Sequence, residues 1–285
     1  MRVKIILSRK GFDSSYGGAP SPILPDGTLL SLPIPSSTCP ITYDELFPGR
    51  WPIGSMVEDL TRGRVRGGDG AHLDPDLRKS AYRRRPGWRP IFGQDGTAQA
   101  HLRNSGVDVG DLFLFFGWFR RTELAEAEYR FVRGAPDLHV IFGWLQIDRI
   151  VAVDPGQTNV PAWAEYHPHF HTDSGTDNTV YVAREDLLLP GTGRGPAGGG
   201  ALQRYQEDLR LTAPGRSRSW WRLPKWFFPG DGRPPMTYHG NRERWTLGQD
   251  HAYVRSASRG QEFVLDAEQY PEALTWAYQL ISAAT

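Results

Sequence analysis

Cysteine is nearly absent from this sequence, since Cys39 is the single one among 285 residues. A lone cysteine excludes an intramolecular disulfide and any zinc or iron–sulfur site built from cysteines, which is typical of a reducing compartment. Long apolar runs are missing too. No stretch approaches the roughly 20 apolar residues of a membrane span, and residues 3–7 are too short a run for a secretory signal. These absences predict a cytoplasmic protein without a membrane partner.

The sequence also lacks an excess of charge of either sign. Lysine and arginine together number 33 and aspartate and glutamate 32, so the formal net charge is +1. This balance excludes histone-like binding, and any grip on nucleic acid must come from local, strongly salt-sensitive basic patches. No pattern indicates an oligomeric state.

Apolar material is plentiful, with 39% hydrophobic and 12% aromatic residues, enough for a folded core. By its length, the chain forms one large domain or two small ones. The glycine-rich residues 190–200 are the best place for a joint. This divides the chain into a core over residues 1–190 and an extension packed on it over 191–285, with a single domain over 1–285 as the alternative.

Aromatic and β-branched runs predict mostly strands. A buried strand over residues 3–7 precedes a long loop over 8–40. Further strands are predicted to pair as an antiparallel meander, over residues 111–119, 129–133, 138–153 and 178–183, closed by 187–190.

Capping signals predict helices at three places. One follows the N-cap Asp74 and Pro75 and covers residues 77–82, and a second runs from the N-cap Thr97 to a left-handed stop at Gly106. Apolar residues at helical spacing predict an amphipathic C-terminal helix that begins near residue 271, namely Leu274, Ala277, Tyr278 and Ile281.

Two resemblances extend these patterns. The segments at residues 110–115 and 141–147 resemble the barrel of PUA-like domains, including the ASCH and EVE families. The opening Ser8-Arg9-Lys10-Gly11-Phe12-Asp13, the segment His72-Leu73-Asp74-Pro75-Asp76 and Tyr166-His167-Pro168-His169 are similar to the nucleotide-modification-associated domain family, third type. The resemblances imply an α+β fold with a mostly antiparallel PUA-like barrel near residues 90–190. An N-terminal loop region and a Trp-rich C-terminal extension that ends in a helix decorate this barrel.

The first candidate for chemistry is a histidine cluster, His167, His169 and His171. Alternation along an extended segment would place all three imidazoles on one side, as a metal site requires, and Pro168 favours extension. The alternative is a polar turn at the protein surface.

A second candidate combines His72 with Asp74 and Asp76. An imidazole beside carboxylates suits either general acid–base catalysis or a divalent metal. One or two histidines of the first cluster could join His72 or Asp74 in a site for iron, manganese or zinc that uses two histidines and one carboxylate. The alternative is structural, with Asp74 as a helix N-cap and Asp76 favoured by the helix dipole.

The third candidate is the loop after the first strand, where Asp13 could act as a general base flanked by Lys10. The alternative reading is an Asx turn ahead of a glycine pair. Cys39 has no local base, which argues against thiol catalysis.

Arginines interleaved with aromatics form a fourth set. Such residues can stack bases and hold phosphates, although tryptophans in runs usually belong to a core. The substrate-binding candidates are Arg84, Arg85, Trp88, Trp118, Arg120 and Trp221.

Together these features predict a protein of nucleic-acid base modification that binds a base or nucleotide in an aromatic pocket and acts on it. Lys10, Asp13, His72 and Asp74 are the catalytic candidates, and the metal candidates are His72, Asp74, His167 and His169. Two alternatives stay open. One is a metal-dependent enzyme acting on a small molecule or peptide, and the other is a non-catalytic reader of modified bases.

Overall fold

The computed structural model describes residues 3–153, 160–171, 177–193, 195–230, 232–258 and 260–283. The chain is α+β and consists mostly of strands. The strands are β1 (Lys4–Arg9), β2 (Ser21–Ile23), β3 (Ile34–Pro35), β4 (Ala71–His72), β5 (Ile91–Gln94), β6 (Leu112–Ala125), β7 (Glu128–Phe131), β8 (Leu138–Ala152), β9 (Thr179–Ala183), β10 (Gly199–Ala201), β11 (Trp220–Pro224), β12 (Trp245–Leu247), β13 (His251–Arg255) and β14 (Glu262–Asp266). The α-helices are α1 (Ile53–Thr61), α2 (Gly96–Asn104) and α3 (Glu272–Ala283).

One large sheet organises the molecule, in the order β14-β1-β6-β8-β9-β5. The predicted strands form and pair antiparallel, with β8 between β6 and β9. The simple meander is not complete, because β7 pairs with β6 and, among the described residues, not with β8. β1 lies parallel to β6 and antiparallel to β14. The sheet continues across residue 190, since β10 pairs with β8.

The expected PUA-like barrel is not confirmed. In the described part of the chain, no backbone ladder joins the outermost strands β5 and β14. Side chains meet there instead, because the Gln94 amide on β5 donates to Glu262 Oε1 on β14 at 2.6 Å. The sheet is therefore open, and two polar side chains bridge its ends.

Aromatic side chains form the core on both faces of this sheet. Phe113 and Phe115 stack on each other on one face, and Phe92 packs edge-on against both. Phe116 packs on the opposite face against Trp221 and Phe263. Burial of one such phenylalanine contributes roughly 1.5–3 kcal/mol, so these layers supply much of the stability. A second sheet, in the order β11-β13-β12, carries Trp221.

Two of the three predicted helices are present. α3 is confirmed, with Ala277 and Ile281 buried. α2 is confirmed as well, but Asp95 rather than Thr97 is its N-cap residue, and Gly106 has the left-handed φ of +64° expected of a stop. The prediction for residues 77–82 was wrong, since only a 3-10 turn, Lys79–Ala81, forms there.

That helix fails to form because a sheet edge takes its N-terminal residues. The Asp76 backbone bridges Ile91 of β5. The predicted closing strand at 187–190 was also wrong, because only Asp186 makes an isolated bridge there, with Ala197. Among the described helices, none is long and apolar enough to span a membrane.

A buried neutral histidine should make the fold sensitive to acid. His239 Nδ1 donates to Thr237 O at 2.9 Å and Nε2 accepts from Ala257 N at 3.1 Å, which defines the neutral form. Burial, with a smaller contribution from the charges of Arg244 and Arg9, lowers its pKa to about 4.

Between pH 6.5 and 4 the unfolded chain therefore binds a proton at residue 239 that the folded chain does not. Stability present above pH 6.5 is lost as the pH falls, by about 3 kcal/mol from this residue. Urea unfolding across this range should show a shallower pH dependence for His239→Gln than for the wild type. His251→Gln, at a half-buried histidine, should keep the wild-type slope. Equal slopes for all three proteins would contradict this assignment.

Candidate metal centre

The Asp74 carboxylate is the centre of the site. The segment at residues 74–76 lies along the free edge of β5, where the Asp76 and Ile91 backbones exchange hydrogen bonds of 2.9 and 3.1 Å. This pairing directs the Asp74 side chain toward β5, and its Oδ1 accepts from Gly93 N at 2.7 Å. The carboxylate is thereby buried rather than used as a helix cap.

A 3-10 turn, Pro168–Phe170, places two histidines against this carboxylate. His167 Nε2 lies 3.2 Å from Asp74 Oδ1, and His169 Nε2 lies 3.7 Å from Oδ2. The expected extended segment was wrong. Because the chain turns here, the His171 side chain does not join those of His167 and His169 at the carboxylate, and it stays exposed. Gly93 permits the close approach, since a Cβ there would lie 2.2 Å from the His169 ring.

His72, at the end of β4, completes the group. Its ring centroid lies 5.5 Å from that of His169. One ligand atom each from His72, Asp74 and His169 lie within 4.8 Å of one another. The two clusters that the sequence singled out, 93 to 97 residues apart along the chain, thus meet in space.

The hydrogen bonds of Asn178 fix the tautomer of His169. Asn178 Nδ2 donates to His169 O at 2.7 Å, so Asn178 Oδ1 is the atom that faces the ring, 2.6 Å from His169 Nδ1. An amide oxygen only accepts, so Nδ1 carries a proton. Burial lowers the pKa of His169 and so favours the neutral ring, in which Nε2 keeps its lone pair. A metal-binding histidine commonly donates its other N–H in this way.

The opposite tautomer follows for His167. Asp74 Oδ1 accepts a hydrogen bond from its Nε2–H, and His167 Nδ1 has no partner among the described residues. His167 therefore orients the carboxylate.

Electrostatics keep Asp74 charged, and burial favours the neutral forms of His72 and His169. Burial opposes ionisation of Asp74, but the hydrogen bond from His167 and the nearby imidazoles together lower its pKa to about 2. Burial lowers the pKa of His72 to about 4 and also lowers that of His169. In the described part of the chain, no lysine or arginine forms an ion pair with Asp74, so a buried negative charge faces neutral rings.

Lys10 and Asp13, predicted to act together, point to different places. Lys10 Nζ lies 2.9 Å from Glu262 Oε1 and 4.6 Å from the centroid of the Phe92 ring. The Asp13 carboxylate caps its own loop, accepting from Ser15 N and Tyr16 N at 2.7 Å each. This is the Asx turn of the alternative reading.

Arg84 and Trp88 lie inside a closed polar network. Arg84 makes a bidentate ion pair with Asp76 at 2.6 and 2.7 Å, and the side chains of this pair are 7% and 0% exposed. The Tyr166 hydroxyl bonds both Arg84 and Asp76, and Trp88 Nε1 donates to it at 2.8 Å. Neither Arg84 nor Trp88 is free to hold a substrate. Instead, they join the segment of Asp74 to the segment of His167.

The other substrate-binding candidates divide by exposure. Arg85 is exposed and pairs with Glu165. Trp118 and Arg120 are half-buried and both bond Asp137. Trp221 is fully buried and donates to His139 Nδ1, so its prediction as a stacking residue was wrong.

Sequence reasoning missed several residues of the centre. Asn178 fixes His169, Tyr166 joins the two segments, and Cys39 Sγ lies 3.6 Å from His72 Nδ1. No local pattern marks Asn178, because its role depends on a turn that the sequence did not predict. In the sequence, Tyr166 was noted only because it precedes His167.

Comparison with known proteins gives one family. The model for nucleotide modification associated domain 3 matches residues 4–266. Neither the curated proteins nor the solved structures include a significant match.

The two neighbouring arginines should differ sharply on substitution. Arg84→Ala would leave Asp76 buried without its partner, and we expect a loss of about 3–5 kcal/mol in the free energy of unfolding. Arg85→Ala should cost no more than about 1 kcal/mol, because both partners are exposed. Chemical denaturation measures both values, and equal losses would show that the Arg84–Asp76 pair does not hold the two segments together.

Proposed function

The chain belongs to the nucleotide modification associated domain 3 family, and from this membership we propose that it modifies a nucleotide base with a divalent metal held by His72, Asp74 and His169. The family supports the general role in nucleotide modification. The metal, the ligands and the base as target are our proposal.

The state of His169 is the observation that carries the proposal. Its Nε2 lone pair faces Asp74 Oδ2 at 3.7 Å, because Asn178 holds the proton on Nδ1. Two acceptors that face each other in a buried site repel unless a hydrogen-bond donor or a cation lies between them. A divalent ion would satisfy both atoms and compensate the buried charge.

The donor set indicates which ions fit. Two imidazoles and one carboxylate suit iron, manganese or zinc. Three protein ligands leave coordination positions open, as in catalytic rather than structural sites. Bound there, the metal would supply Lewis-acid chemistry or an activated water to the substrate.

The surrounding residues would keep the ligands in place. His167 holds Asp74 through Oδ1, which leaves Oδ2 for the metal. Asn178 keeps the His169 ring oriented and basic. Arg84, Asp76 and Tyr166 join the two segments that carry the ligands.

Metal analysis tests the ligands. Untagged protein loaded with Fe²⁺, Mn²⁺ or Zn²⁺ and then dialysed should retain about one ion per chain. Asp74→Asn and His169→Ala should lose it, and Asn178→Ala should bind about 10–100-fold more weakly. His171→Ala is the matched control, because this exposed histidine belongs to the same motif. Metal-free wild type, or equal retention in Asp74→Asn, would overturn the site.

A product assay tests the function. The metal-loaded protein would be incubated with DNA, RNA and free nucleotides, together with the small-molecule fraction of a cell extract as a source of co-substrates. Digestion to nucleosides and mass spectrometry should show a new nucleoside with the wild type and His171→Ala, and none with Asp74→Asn. Unchanged nucleosides from all three substrates would contradict the proposal.

A further inference from the structure

A polar cavity lies on the opposite side of β1 from Lys10. Arg9 and Lys10 are consecutive, and their side chains reach different groups, since Arg9 lies against Phe263 whereas Lys10 lies over Phe92. Arg9 lines this cavity, which has a volume of about 310 Å³. Small-molecule sites commonly have volumes of roughly 300–1,000 Å³. Its polar and aromatic lining includes Arg9, Asp13, Trp118, His139, Arg218 and Ser256.

Two arginines face this cavity without a carboxylate of their own. Within the described residues, neither Arg9 nor Arg218 has an ion pair. Arg9 donates to the carbonyls of Ala257 and Gly260 at 2.9 and 3.1 Å, and its Nε is buried without a partner. Burial is the main cause that lowers the pKa of Arg9. The charge of Arg218 lowers it further, whereas the charges of Asp13 and Glu262 raise it.

His139 and Ser256 add neutral hydrogen-bonding groups. His139 Nδ1 accepts from Trp221 Nε1 at 2.9 Å, and an indole N–H only donates, so the His139 proton is on Nε2. Burial keeps this ring neutral by lowering its pKa. The Ser256 hydroxyl is buried and has no partner in the part of the chain that the structure describes.

Asp13 supplies the one carboxylate among the described residues of the lining. Two backbone N–H groups hold its Oδ1. With two arginines and one aspartate, these described residues have a net charge of +1, so they favour an anion that also offers a donor to Asp13.

Trp118 gives the cavity an aromatic wall. Its Nε1 donates to Asp137 at 2.7 Å, and the Arg218 guanidinium carbon lies 4.1 Å from its ring centroid. Stacked arginine and tryptophan planes are surfaces on which nucleic-acid bases stack.

We propose that this cavity binds a nucleotide, with its phosphate at Arg9 and Arg218 and its base against Trp118 and Asp13. A phosphate would place a negative charge beside two guanidinium groups that have no ion pair among the described residues. The choice of a nucleotide over another anion rests on the proposed function, whereas the anion site itself does not.

Calorimetric titration tests this proposal at low salt in EDTA, so that the metal centre plays no part. The probes are 5′-mononucleotides, a dinucleotide, the matching nucleosides and inorganic phosphate. Mononucleotides should bind at least 10-fold more tightly than nucleosides, and Arg218→Ala should weaken them about 10-fold or more. Arg216→Ala, an exposed arginine of the same loop that lies 5.7 Å from the Trp220 ring, is the matched control and should bind like the wild type.

Equal affinity of Arg218→Ala and the wild type would overturn the site, as would wild-type protein that binds none of the probes. Inorganic phosphate binding as tightly as the nucleotides would overturn the nucleotide assignment and leave a plain anion site. A dinucleotide that binds more tightly than a mononucleotide would support a strand as the source of the phosphate. Asp74→Asn should bind nucleotides normally, which separates this proposal from the metal centre.

Discussion

The buried charge of Asp74 is the constraint on which the centre depends. A carboxylate out of water is costly unless it is paired, and here one oxygen is satisfied by Gly93 and His167 while the other faces the lone pair of His169. The ring cannot turn to relieve this contact because Asn178 holds it. The divalent cation that we propose would satisfy this arrangement.

The open sheet explains why the centre lies where it does. A closed barrel would have used the edge of β5 for a strand, whereas here residues 74–76 cover that edge and bring a carboxylate with them. The Arg84–Asp76–Tyr166 network then fastens the histidine turn to the same edge. Stability and ligand placement are therefore coupled through groups that have no contact with a substrate.

Local sequence patterns predicted the features that depend on residues close together in the chain. The strands and α3 follow from apolar periodicity. His72, Asp74, His167 and His169 stand out because three of the eight histidines lie within residues 167–171 and a fourth lies beside two carboxylates within residues 72–76. Other features depend on contacts between distant segments. The sequence around Asp74 predicts a helix cap, but its carboxylate accepts a hydrogen bond from β5 instead. Arg84 was predicted to belong to a basic patch, but it is paired with Asp76. Trp221 was predicted to stack on a base, but it is buried in the second sheet.

The location of a bound ion tests the central claim most directly. Crystals grown with Mn²⁺ should give one strong anomalous-scattering peak about 2.0–2.2 Å from atoms of His72, Asp74 and His169, the usual range for nitrogen and oxygen ligands. His167 should lie outside the coordination shell, still bonded to Asp74 Oδ1. A peak elsewhere, or an ordered centre with no peak at saturating Mn²⁺, would contradict the account.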